Sequence, residues 1–167
     1  MTPSQVLAIL LAFPPYSGDR SMTLDERREM LRPVAESIAR KAGNNLRKAA
    51  LLSTQSFEDT GLARYVIEGR CQDGPRGARC DDGRSYGPYQ VAVRYCPDRD
   101  LDGQADCALR AAWGGVARCR DHALSPVHAW FVGLAGSGVP CNWPEADRRV
   151  RTYRMVLARF EQAQISP

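Results

Sequence analysis

Glu58 closes an apolar run of helical period, and downstream of it stands Asp81-Asp82-Gly83-Arg84-Ser85-Tyr86-Gly87-Pro88-Tyr89-Gln90-Val91. A carboxyl at a helix end, facing a glycine-rich turn with a second carboxyl, two aromatics and an amide, has the parts of acid–base cleavage of a glycosidic bond. One acid protonates the leaving oxygen, a second group holds water on the other face, and flat or amide surfaces grip sugar. Beside Phe57 and the core, Glu58 is expected to keep its proton and act as the donor. Asp81 is the expected second carboxylate, although Asp-Gly is also a strong turn pair. Asp73 and Glu68 are weaker choices for a supporting carboxylate.

The elements that position these groups read as helices on either side of an irregular segment. Thr2-Pro3-Ser4-Gln5 and Thr23-Leu24-Asp25-Glu26 have the form of helix starts, with a capping threonine and an acceptor three residues on. The second helix carries Leu31, Val34, Ala35 and Ile38 on one face; Pro33 is expected to bend it and Gly43 to end it. Leu46 to Phe57 predicts a third helix whose small residues suit packing on several sides, stopped by Gly61. From 65 to 91, glycines and prolines break any helix and favour short strands or turns. Helical spacing returns at Ala105, Leu109, Ala112 and Val116, again after Ser125-Pro126, and finally after Pro144 with Val150, Tyr153, Leu157 and Phe160. The expected fold is α+β and mainly α: one domain, 1–167, with N-terminal helices over 1–45 and a catalytic core over 46–163.

With 167 residues, 44% of them hydrophobic, the chain supports one domain with a real core and is short for two. A net charge of +4 is mild, suits an anionic polymer such as a bacterial wall, and is too diffuse to indicate nucleic acid. The six cysteines, 71, 80, 96, 107, 119 and 141, lack Cys-x-x-Cys pairs and ligand-spaced histidines, so disulfides in an oxidising compartment are preferred over zinc. Val6 to Phe13 is too short, and wrongly flanked, for an export leader; the expectation is a leader removed from this chain, or delivery by a lytic phage. No stretch approaches a transmembrane length. A monomer is expected.

Asp98-Arg99-Asp100-Leu101-Asp102-Gly103 places carboxylates at positions one, three and five of a calcium loop with glycine at six, and Asp106 falls at nine. Leu109 stands where a bidentate glutamate belongs, so a structural calcium on Asp98, Asp100, Asp102 and Asp106 is an incomplete match. Cys96 and Cys107 bracket the loop and would hold it closed without metal.

In order and spacing, residues 46 to 160 resemble the lysozyme-like superfamily, in particular goose-type lysozymes and soluble lytic transglycosylases. Glu58-Asp59 stands where those families place Glu-Ser at the end of a central helix. Gly87-Pro88-Tyr89-Gln90-Val91 replaces their Gly-Leu-Met-Gln, and Gly133-Leu134-Ala135-Gly136-Ser137-Gly138 their Ala-Tyr-Asn-Ala-Gly. Arg149-Val150-Arg151-Thr152-Tyr153-Arg154 falls on their tyrosine-bearing final helix. The resemblance implies a peptidoglycan glycosidase cleaving the β-1,4 bond between N-acetylmuramic acid and N-acetylglucosamine, with no required cofactor. Glu58 would be the acid, Asp81 a water-orienting aspartate, and Tyr86, Gly87, Tyr89, Gln90 and Tyr153 the substrate-binding set. With Asp81 in place the outcome is inverting hydrolysis; without a second carboxylate the sugar's 6-hydroxyl closes to an anhydro product. The departures at Asp59, Pro88-Tyr89 and Gly133-Leu134 leave a second reading, a lysozyme-like scaffold that binds glycan or a partner without cleaving.

Overall fold

A computed structural model describes residues 1–70, 85–92 and 95–165. The order is α1 (Pro3–Leu11), a 3-10 turn (Ser17–Asp19), α2 (Leu24–Ala42), α3 (Leu46–Thr60), α4 (Arg64–Ile67), β1 (Ser85–Tyr86), β2 (Val91–Ala92), α5 (Leu101–Arg118), α6 (Pro126–Ala135) and α7 (Pro144–Ile165). The protein is mainly helical with one small antiparallel sheet, in which Ser85 pairs with Ala92 and Tyr86 with Val91.

The helix starts follow the sequence. Thr2 and Thr23 each accept from the backbone of the third helical residue, whose Gln5 or Glu26 side chain reaches back to the cap, and Ser125 caps α6 ahead of Pro126. Two details differ from expectation. Arg64–Ile67 forms a helical turn where only strands or turns were expected, and α5 begins at Leu101, ahead of the expected stretch. The α2 helix continues through Pro33 to Ala42.

At the centre of the fold, α3 is buried at every position from Ala49 to Ser56. Ser56 Oγ donates to the Leu52 carbonyl at 2.9 Å, whereas the buried Ser53 and Thr54 hydroxyls have no hydrogen-bond partner among the described residues. Around it α3 packs on α7 and α2, α1 lies on α2 and touches α7, and α5 lies along α6. The N-terminal helices belong to the same core: Val6, Ile9, Leu10 and Phe13 join the cluster of Leu31, Ile38, Leu51 and Leu52, and Phe13 stacks on Phe57 with centroids 4.1 Å apart.

The α5·α6 contact is made by glycine on both sides. A methyl group on Gly115 would stand 2.1 Å from the Ala129 carbonyl oxygen, and one on Gly133 would stand 2.2 Å from that of Ala111. The two backbones therefore touch with no side chain between them.

Disulfides join Cys96, ahead of α5, to Cys107 within it, and Cys119, its C-cap, to Cys141. The first brackets the acidic loop, a pairing that the cysteine spacing leaves open among others. Cys71 and Cys80 lie outside the described residues, and no helix among those described is long and apolar enough to cross a membrane. Removing the Cys119–Cys141 bridge, which spans 22 residues of chain, as a double serine variant is expected to lower stability. The loss should be about 3 kcal/mol, read from the midpoint of denaturant unfolding.

Candidate functional site

A cleft of about 930 Å³ runs between β2, the cleft face of α5, the end of α6 and the start of α7. Its floor holds Asp59, Gln90, Trp143 and Arg149, and its lip is the turn Gly136-Ser137-Gly138. Arg118 fixes that lip by donating to the carbonyls of Val132 (3.1 Å), Gly136 (3.0 Å) and Val139 (3.3 Å), which also closes the open end of α6.

The last turn of α3 presents two adjacent carboxylates to α7. Glu58 is ion-paired to Arg148 Nη1 through one oxygen and accepts from Thr152 Oγ1 at 2.5 Å through the other. Its side chain is 1% exposed, and it is not among the residues lining the cleft. The burial expected at this helix end is present; the apolar surroundings are not, since its partners are a guanidinium and a hydroxyl. Arg148 itself is half exposed and is shared with Glu145, which it holds below the usual carboxylate range by hydrogen bonding.

Asp59, one position on, is the carboxylate that lines the cleft. It pairs with Arg149 Nη2 at 2.5 Å, and Gln55 donates to its other oxygen. Arg149 also donates to Gln55 Oε1 at 3.2 Å and lies over the Trp143 ring, 5.2 Å from the centroid. Gln55 in turn donates to the Tyr89 carbonyl at 3.2 Å, tying this network to the turn before β2. Arg149 is only 8% exposed, and its Nε has no hydrogen-bond partner among the described residues.

The turn from Gly87 to Gln90 divides its residues between cleft and core. Gly87 takes φ +63°, where a methyl group would strike the buried Gln104 amide at 1.9 Å, so glycine is required there. Gln90, also at positive φ, reaches the cleft and donates from Nε2 to the Gly87 carbonyl at 2.8 Å, bracing its own turn. Tyr89 corrects the expectation of a cleft-lining ring. It is wholly buried, its hydroxyl facing Ser37, within the turn between the two strands, where it packs inward beside α2. Tyr86 is half-buried under Arg99, whose guanidinium lies 5.0 Å from the ring centroid, and it does not line the cleft. Tyr153 is buried edge-on against Trp130 and Phe131, so it serves packing. Asp81 and Asp73 lie outside the described residues, while Glu68 is occupied by Arg64 and Arg70 on the surface.

Burial raises the Tyr89 phenol above its ordinary value. The buried neutral phenol contributes stability that is fully present below the unfolded phenol's pKa of about 10 and is lost as pH rises beyond it. Wild type is expected to lose about 1.4 kcal/mol per pH unit more than Tyr89→Phe above about pH 10. Denaturant unfolding of both proteins at pH 9 and pH 11 measures the difference.

The carboxylates read as a calcium loop are dispersed by the early start of α5. Asp100 is the N-cap, accepting from Gly103 N at 2.8 Å, while Asp102 pairs with Arg40 and Asp106 with Lys41. Asp98 packs over Gly103. Arg40's hydrogen bonds hold Asp102 below the usual range. Among the described residues no three metal-ligating side chains converge.

Sequence reasoning missed Gln55, Asp59, Arg148 and Trp143 as site residues, and placed Arg149 and Thr152 only within the final-helix motif. The signal available was the pair of consecutive acids at 58–59 facing consecutive arginines at 148–149 on another helix. No protein-family model matches this chain, and comparisons with curated proteins and with solved structures return no match.

Proposed function

We propose that the protein cleaves the β-1,4 glycosidic bond of peptidoglycan between N-acetylmuramic acid and N-acetylglucosamine, with Glu58 as the general acid. The observation that carries the reading is a buried carboxyl in the last turn of a central helix, one residue from a cleft lined by an amide and an indole. A cleft of that volume accepts sugar rings, the Trp143 indole offers a face for stacking, and Gln90 offers an amide for an acetamido group. Arg148 has a second carboxylate in Glu145 and access to solvent, so it can leave Glu58 when a glycan strand enters. Glu58, buried behind the cleft wall, must then turn outward to reach the leaving oxygen, with Thr152 holding its other oxygen. The disulfides support an oxidising compartment, either outside the cell or in the periplasm.

The test is mass spectrometry of the soluble products from purified peptidoglycan, treated with wild type and with Glu58→Gln. Muropeptides from wild type that disappear with the variant support the reading. No product from wild type on several wall types overturns it and leaves the scaffold as a binding protein.

A further inference from the structure

Asp59 is the single carboxylate among the described residues that line the cleft. It is held on both oxygens, by Arg149 and by Gln55, and Gln55 is itself fixed to the Tyr89 carbonyl. Arg149, nine-tenths buried, keeps an unpartnered Nε within the same cleft wall. A surface ion pair does not need this support. A buried network that fixes one carboxylate in the wall of a cleft gives that carboxylate a set position for chemistry.

Resting on the glycosidase reading, we propose that Asp59 is the second catalytic carboxylate, which orients the attacking water and takes its proton. Consecutive helix positions diverge by about 100°, so Asp59 faces the cleft while Glu58 stands behind its wall and must turn outward to act with it. In the reaction Glu58 gives its proton to the bridging oxygen and the bond from that oxygen to the anomeric carbon breaks. Water attacks the opposite face of that carbon and its proton passes to Asp59. Solvent then reprotonates Glu58 and takes the proton from Asp59. The product is a reducing sugar of inverted configuration.

The variants are Asp59→Asn, which keeps an acceptor for Gln55, and Asp59→Ala assayed with added azide. Wild type is expected to release reducing-end muropeptides. Asp59→Asn should lower kcat ~10²–10⁴-fold with little change in KM and should remove the acidic limb of the kcat/KM profile. Asp59→Ala should form glycosyl azide, because azide attacks without needing a base. Anhydro products from wild type overturn the inference while leaving the glycosidase reading intact. So does Asp59→Asn at wild-type rate with an unchanged pH profile, or a folded Asp59→Ala that gives no azide adduct. If wild type makes no product at all, both proposals fall.

Discussion

Glu58→Gln is expected to lower the rate of glycan cleavage by ~10²–10⁴-fold while shifting the melting temperature by no more than a few degrees. The two halves of that result have separate causes. Glutamine has nearly the shape of glutamate and can still accept from Thr152, so the packing at the end of α3 persists. Arg148, which keeps its charge but loses the Glu58 carboxylate, is half exposed and already engaged by Glu145, so no buried cation is stranded. A glutamine has no proton to give the leaving oxygen, and that loss falls on kcat. A variant that kept cleavage within threefold of wild type would remove Glu58 from the chemistry. A variant that lost activity and melted far earlier would show an ion pair needed for folding.

Gly115→Ala and Gly133→Ala are expected to cost about 3 kcal/mol or more each, a large share of the stability of a domain this size. The atoms in the way are backbone: a methyl group on Gly133 would also stand 2.7 Å from the Gly115 nitrogen. No rotamer change relieves such a contact, so the helices must part and the cleft wall must move with them. Gly114→Ala is the matched control. It lies next door on α5 with nothing within 4 Å of the added carbon, and helix propensity predicts a gain of about 0.5–1 kcal/mol. Thermal unfolding of the three variants gives the comparison. Equal effects at 114 and 115 would mean that α5 and α6 do not cross at these glycines.

What could be read from the chain follows the range of each interaction. The capping residues Thr2, Thr23 and Ser125 are legible because a cap and its acceptor are three residues apart. The burial of α3 is legible in the small side chains from Ala49 to Ser56, which let neighbouring helices pack on several sides. The carboxylate spacing of the Asp98–Asp106 stretch is compatible with a helix start as well as with a calcium loop, and Asp100 caps the helix that begins at Leu101. Tyr89 and Tyr86 share an aromatic character, and only the packing of α2 and α5 decides which ring is interior. The Asp59–Arg149 pairing joins residues from opposite ends of the core, and no local pattern announces it. Asp59 read as a departure from a motif, whereas its partner makes it a feature of the cleft.

The separations along the chain also order events in time. The disulfides close loops of 11 and 22 residues, and the α5·α6 crossing is comparably local, so one wall of the cleft can form from a single continuous stretch. The contacts that fix the two carboxylates, Glu58 with Thr152 and Gln55 with Arg149, each span 94 residues. On a ribosome they wait until α7 has emerged. The α5·α6 wall can therefore be shaped early, while the contacts of the two carboxylates are made last.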